Sequence, residues 1–333
     1  MTVRYLLAFI AAFAACVALM PPIIRLARKW KVRQTVLSYV DNHSHKSGTP
    51  TMGGIAVLLA LVIGTLPFIR QGASLCVLVL AVTAAFGIIG FLDDFIKVFF
   101  KQNKGLSSRQ KMLFQVAVAL IVSLFVFYSE FVGSVVYAPF TMRELDLGWF
   151  APVFYMFVFL AFTNAVNLTD GLDGLAGGVT LTYTVFFGAV IALIVFYFGL
   201  SPLYTAEHGN LLIFCCALVG ALLGFLLYNS FPARIFMGDT GALALGAAVA
   251  GLAVVSKLAL VAPVIGIMYV VTCLSDIIQV LHYKRTKRRV FLMAPLHHHF
   301  ERKGLHENSI VRIYTGITAV MGALTVLVIL LIN

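Results

Sequence analysis

The sequence predicts an all-α polytopic integral membrane protein with about ten transmembrane helices, forming a single membrane-embedded domain over residues 1–333. Three observations carry this expectation. The chain is 61% hydrophobic and only 11% charged, with a mean hydropathy of +1.01, outside the range of soluble domains. Its apolar runs are near 20 residues long, what an α-helix needs to cross about 30 Å of hydrocarbon, and lack the ten-residue alternation of a barrel. Finally, the polar residues are not scattered; they gather where apolar runs end.

By apolar length, the spans fall at 3–24, 51–69, 75–92, 112–132, 149–168, 175–199, 210–229, 240–255, 258–281 and 310–332. A retained first span is expected in place of a cleaved signal, because the apolar run continues through Met20 to Ile24 and then meets a basic loop. The 240–255 run is short and rich in Gly and Ala, so it is expected to tilt, to pack closely against its neighbours or to stop short of crossing. Residues 130–148 alternate loosely and suggest a short hairpin outside the membrane. All five cysteines lie inside apolar runs, without zinc-ligand spacing, and read as small packing residues.

Basic residues set the orientation. Twenty of the 24 Lys and Arg fall in loops on one side, and only Arg4, Arg70, Arg143 and Lys257 fall on the other. The heavy side is expected to be cytoplasmic, with both termini outside. This also accounts for the net charge of +11 without nucleic-acid binding, which is not expected.

The cluster Asn164 to Leu175 sets two carboxylates and two amides at the end of an apolar run. A carboxylate at mid-membrane costs roughly 2.5–3.5 kcal/mol on insertion scales, so the cluster belongs at a membrane surface or in a polar cleft. Asp170 and Asp173 suit a helix start, but Asn164, Asn167 and the glycines between 171 and 178 also suit a ligand-reading edge. Asp93 and Asp94 close the run Ala84 to Leu92, at the helix end that disfavours acids, so a compensating cation is expected. Pairing Asp93 with Lys97 at i,i+4 satisfies one aspartate and leaves the other. Asp239 opens the 240–255 run, beside Asn229 and Arg234 in the same loop.

Hard oxygen donors without Cys point to Mg²⁺ or Mn²⁺ as the cofactor. Lys46 to Gly54 places a lysine, hydroxyls and glycines at a helix start, an anion site in outline that does not match a P-loop. His297, His298 and His299 are consecutive, cannot all face one way, and suit phosphate contact better than joint metal ligation. The basic run Lys284 to Arg289 suits anionic lipid headgroups. Five aspartates on one face with many cationic phosphate partners imply phosphoryl transfer between a soluble nucleotide-bearing substrate and a lipid phosphate.

Thr49-Pro50-Thr51-Met52-Gly53-Gly54, Phe91 to Lys97, Asn164 to Leu175, Gly238-Asp239-Thr240-Gly241 and Pro295 to Glu301 together resemble the bacterial phospho-N-acetylmuramoyl-pentapeptide transferases (the MraY translocases), within the polyprenyl-phosphate N-acetylhexosamine-1-phosphate transferase superfamily. The order and spacing match along nearly the whole chain. The resemblance implies Mg²⁺-dependent transfer of phospho-MurNAc-pentapeptide from UDP-MurNAc-pentapeptide to undecaprenyl phosphate, giving lipid I and UMP, at the cytoplasmic face of the bacterial inner membrane. It implies Asp239 as the principal metal ligand, Asp93 as the base or activator of the lipid phosphate with Asp94 in support, and His298 among the catalytic groups. Asn167, Asp170 and Asp173 would form the nucleotide edge, with Phe236 as a stacking platform. Lys46, Thr51, Lys97, Lys111, Asn229, His297 and His299 would position phosphates and substrate. A homodimer is compatible with the resemblance.

Two rival readings share the carboxylates. The sister transferases that move GlcNAc-1-phosphate from UDP-GlcNAc have the aspartate motifs, and the loop Pro295 to Glu301 argues for the muramoyl enzyme. A proton-coupled transporter would hold carboxylates near mid-span, whereas Asp93, Asp170, Asp173 and Asp239 fall at run ends and Asp276 alone lies deeper.

Overall fold

The computed structural model describes residues 2–29, 48–99, 105–197 and 201–332. Among these the chain forms twelve α-helices: α1 Thr2–Lys29, α2 Gly54–Thr65, α3 Ser74–Phe99, α4 Ser108–Phe127, α5 Ala151–Thr169, α6 Leu175–Tyr197, α7 Pro202–Asn229, α8 Gly238–Val255, α9 Ala262–Ile265, α10 Ile267–Thr286, α11 Leu296–Arg302 and α12 Glu307–Ile332. Eight segments are long and apolar enough to cross a membrane: α1, α3, α4, α5 with the turn before it, α6, α7, α8 and α12. The protein is therefore an all-α multi-pass membrane protein.

Two expected spans take other forms, each for a local reason. The run at 51–69 yields a helix of 12 residues, because the backbone of Pro50, Gly53 and Gly54 is hydrogen-bonded to that of Phe236 and Met237, and Pro67, which has no N–H to continue the ladder, follows just after Thr65. The run at 258–281 is broken into α9 and α10 at Gly266, with Pro263 in the first turn of α9. The far half of α10 leaves the bundle, and residues 280–290 are exposed.

The Gly/Ala-rich α8 is the centre of the molecule. Every residue from Thr240 to Val255 is buried, with α3 and α5 packed along its length and α2 beside its first turn. Lipid tails are as apolar as leucine, so close van der Waals packing rather than water exclusion drives such an arrangement. The small side chains permit it: a Cβ at Gly246 would run into the Thr163 backbone of α5. Around this core, α1 lies on α7, α4 on α5, and α6 between α7 and α12. Many hydroxyls inside the helices bond back to the preceding turn, as where Thr163 donates to Phe159 O and Thr180 to Ala176 O.

The two ends of the bundle are tied by buried polar groups. At one end Glu207 of α7 accepts from Ser74 N, Ser74 Oγ and Leu75 N, capping the start of α3 from across the bundle. Asn210 accepts from Arg70 N and donates to Gly72 O. The expected hairpin is present here: β1 Val135–Tyr137 pairs antiparallel with β2 Glu144–Asp146 in the register Val136 opposite Leu145. Tyr137 N donates to Lys257 O at the end of α8. At the other end the chain gathers its aspartates.

Candidate active site

Five helix ends converge at that second pole. The last turns of α3 and α5 and the first turns of α4, α6 and α8 bring Asp93, Asp94, Lys97, Lys111, Asn167, Asp170, Asp173 and Asp239 into one region. The start of α4 is fixed by a capping box between Ser107 and Gln110, which sets Lys111 one turn in. A lysine there is at the wrong end of its helix dipole, as Asp93 and Asp94 are on α3. Each supplies what the other lacks.

Asp94 resolves the question of the second carboxylate. It is buried and accepts from Asp239 N at 3.2 Å, Thr240 N at 2.9 Å and Thr240 Oγ1 at 2.7 Å. It thus caps α8 from outside that helix, and the C-terminal penalty on α3 is offset by the N-terminal dipole of α8. The approach requires a glycine, since a Cβ at Gly90 would overlap the Asp239 carbonyl. Thr51 Oγ1 and Met52 N line the same contact beside Gly238.

Asp93 accepts from Leu106 N at 2.7 Å and from Lys97 at 2.6 Å. The Lys97 ammonium is also 2.6 Å from Asp239 Oδ2 and 3.9 Å from Asp94 Oδ1, so it sits among all three carboxylates. Lys111 approaches Asp239 Oδ1 to 3.2 Å and Asp93 to 4.0 Å, and the Asn167 amide donates to Asp239 Oδ1 at 2.6 Å. The i,i+4 pair of Asp93 and Lys97 is present, but as one edge of a network of six side chains.

Asp170, half-buried beyond the last turn of α5, has no hydrogen-bond partner for its carboxylate among the described residues. Loss of water contact, with Asp239, Asp94 and Asp173 nearby, pushes its pKa up to about 8. Asp173 is buried and accepts from Ala233 N at 2.9 Å. Asn229 accepts from Gly174 N and donates to Ile235 O. These two side chains hold the loop between α7 and α8 against the start of α6. Phe236, half-buried in that loop, is fixed through its backbone to Pro50 and Gly53.

The three histidines diverge. His297 is fully buried, its ring against Gly171, and both ring nitrogens lack partners among the described residues. Burial, with His298 adjacent, holds its pKa well below the ordinary imidazole value, so it is neutral. His298 Nδ1 lies 3.0 Å from Glu301 Oε2. His299 Nδ1 accepts from Leu292 N, which folds the segment before α11. Lys46 lies outside the described residues.

Carboxylate oxygens from Asp93, Asp94 and Asp239 all lie within 4.8 Å of one another. Two ammonium groups do not balance these three charges, and the all-oxygen donor set suits a hard divalent cation, so the residues fit Mg²⁺ or Mn²⁺. Sequence reasoning had singled out these acids from run ends. It missed Gly90, Thr240 and Gln115, whose Oε1 accepts from Asn164. Only Thr240 carried a signal, as a hydroxyl directly after Asp239.

The family model described as Glycosyl transferase family 4 matches residues 76–257, which hold Asp93, Asp94, Asn167, Asp170 and Asp239. A second, described as phospho-N-acetylmuramoyl-pentapeptide-transferase signature 1, matches residues 46–58. Proteins named phospho-N-acetylmuramoyl-pentapeptide-transferase are similar along nearly the whole chain. That of Clostridium novyi (strain NT) is 41% identical over 94% of this chain and 93% of its own. The one from Thermoanaerobacter sp. (strain X514) is 45% identical over 95% of this chain and 96% of its own, and the one from Clostridium kluyveri (strain NBRC 12016) is 42% identical over 90% and 92%. With its carboxylates gathered at one pole of a membrane-embedded helix bundle, and with this extent of identity, the chain belongs to the phospho-N-acetylmuramoyl-pentapeptide-transferase family.

Proposed function

We propose that the aspartate pole is where phospho-MurNAc-pentapeptide passes from UDP-MurNAc-pentapeptide to undecaprenyl phosphate, giving lipid I and UMP in peptidoglycan synthesis. The observation that carries this reading is the meeting of Asp93, Asp94 and Asp239 with Lys97 and Lys111 at helix ends. In the transfer, an oxygen of the lipid phosphate bonds to the sugar-bearing phosphorus of the donor. The bond from that phosphorus to the oxygen shared with the uridine phosphate breaks, and UMP leaves with the electron pair. Such chemistry asks the protein for positioning and charge compensation.

Asp239, with Asp93 and Asp94 beside it, would hold Mg²⁺ (or Mn²⁺), which when bound offsets phosphate charge. Asp93 faces Lys97 and is the residue suited to act as base or activator of the lipid phosphate, with Asp94 in support, whether that phosphate attacks directly or an aspartyl intermediate forms first. Lys97 and Lys111 hold the incoming phosphates once released from carboxylates. Asn167 and Asp170 bound the nucleotide side, with Phe236 as the stacking platform. Asp173 and Asn229 keep the Phe236 loop in place. Neutral His297 lies against Gly171 in the turn between α5 and α6, Glu301-paired His298 follows it on α11, and His299 shapes the segment that carries them. The pole is assigned to the cytoplasmic face of the inner membrane, the side to which the loop-by-loop sequence count assigns twenty of the 24 basic residues; both termini are then outside. A homodimer is part of the same reading.

The decisive experiment measures UMP release in detergent from UDP-MurNAc-pentapeptide and, separately, from UDP-GlcNAc. Release from the muramoyl donor alone, abolished by EDTA and by Asp93→Asn or Asp239→Asn in protein with wild-type melting behaviour, is expected. Turnover in excess EDTA counts against the metal, and preference for UDP-GlcNAc makes this a sister enzyme.

A further inference from the structure

A second basic feature lies at the same pole but outside the aspartate network. Pro21, Ile24, Arg25 and Arg28 recur at the i, i+3, i+4, i+7 spacing of one helix face on α1, and they line a cavity of about 490 Å³ with Tyr228 of α7 and Arg234 of the following loop. Tyr228 closes its inner wall, with its hydroxyl 3.4 Å from Val17 O. The three arginines are exposed. Among the described residues none pairs with a carboxylate; Arg25 Nε reaches only Pro21 O at 3.4 Å, and the Arg28 and Arg234 guanidiniums have no partner. Three cations around one concavity, with no acid paired to them among the described residues, repel each other unless an anion joins them.

We propose that this cavity seats the phosphate-bearing headgroup of an anionic membrane phospholipid, bound as a resident lipid and not as the reacting one. The gradient along the site favours a lipid over a soluble phosphate. The wall runs from Pro21 and Ile24 to Arg25 and Arg28 in two turns, and Leu26 and Leu227, next in sequence to the lining residues Arg25 and Tyr228, are 46% and 62% exposed. A phosphodiester would meet the planar guanidinium forks while its acyl chains follow α1 and α7 into the bilayer. The volume exceeds what a lone inorganic phosphate fills and falls within the usual range of ligand pockets. The site would tie the end of α1 to the loop between α7 and α8, the loop that presents Phe236.

The test is native mass spectrometry of the full chain, titrated in detergent with phosphatidylglycerol, phosphatidylcholine or inorganic phosphate. Wild-type protein is expected to retain one phosphatidylglycerol that the Arg25→Gln/Arg28→Gln/Arg234→Gln variant loses, with affinity reduced by about tenfold or more. The matching triple Lys variant should retain most of it, and phosphatidylcholine should show no such difference. A melting curve confirms that each variant is folded. Equal phosphatidylglycerol retention by wild-type and Gln variant overturns the proposal. So does displacement of the lipid by millimolar inorganic phosphate, which assigns the cavity to a soluble anion, or by an equimolar polyprenyl monophosphate, which assigns it to the substrate.

Discussion

Lys97, on the last turns of α3, donates to Asp239 on the first turn of α8, 142 residues further along the chain, at 2.6 Å. The ammonium sits among the three carboxylates, so in the metal-free protein the lysine offsets their mutual repulsion and holds them together. Lys97→Met should therefore lower the stability of metal-free protein by about 1–3 kcal/mol, less than for a fully buried pair because the lysine is 36% exposed. Melting curves with and without Mg²⁺ check this. The variant should gain more from Mg²⁺ than wild type does, while UMP release falls steeply.

The contact between α3 and α8 at Gly90 leaves no room for a methyl group. Gly90→Ala is expected to shift the first turn of α8 and reduce UMP release at least about tenfold. Gly316→Ala, on α12 with nothing near its Cβ position, should leave activity unchanged and stability within about 1 kcal/mol. Assayed together, the pair separates close packing from a general intolerance of helix glycines.

Asp170 gives the metal-free protein a pH dependence whose sign is fixed. Its pKa of about 8 in the fold exceeds the unfolded value of about 3.9, so the folded state holds a proton that the unfolded state loses in between. The contribution is complete below about pH 4 and is lost as pH rises through about 8. Melting temperature should fall across that window in EDTA, and Asp170→Asn should flatten the fall. An unchanged slope in the variant would show that another group is responsible.

At the opposite pole, Glu207→Gln keeps the shape of the cap on α3 but replaces one accepting oxygen by an NH2 that cannot accept, so at least one of its three accepted hydrogen bonds is lost. A loss of about 1–2 kcal/mol in stability is expected, with KM for both substrates unchanged. A rise in KM would mean that the two poles are linked.

Much of this was legible from sequence because lipid is an unforgiving solvent. A carboxylate at a run end needs a reason, and Asp93, Asp94, Asp170 and Asp239 stood out on that ground alone. Local pairing rules also found the Asp93 and Lys97 contact. What they could not find was partners distant in sequence: Asp94 meets Thr240 across 146 residues, and Glu207 meets Leu75 across 132. Nor does apolar length reveal a break such as that at Gly266, since α9 and α10 together read as one span. The 240–255 run was ambiguous because small residues serve tilting, shortness and close packing equally well. Its complete burial selects the last.

The encasement of α8 has a mechanical consequence. Bilayers vary in thickness and in lateral pressure, and a protein meets such stress at its lipid-facing perimeter, here α1, α4 and α12. A helix with no residue in that perimeter from Thr240 to Val255 is cushioned from it by its neighbours. Asp239, at the tip of that sheltered rod, is set by a helix that the lipid does not touch from Thr240 to Val255.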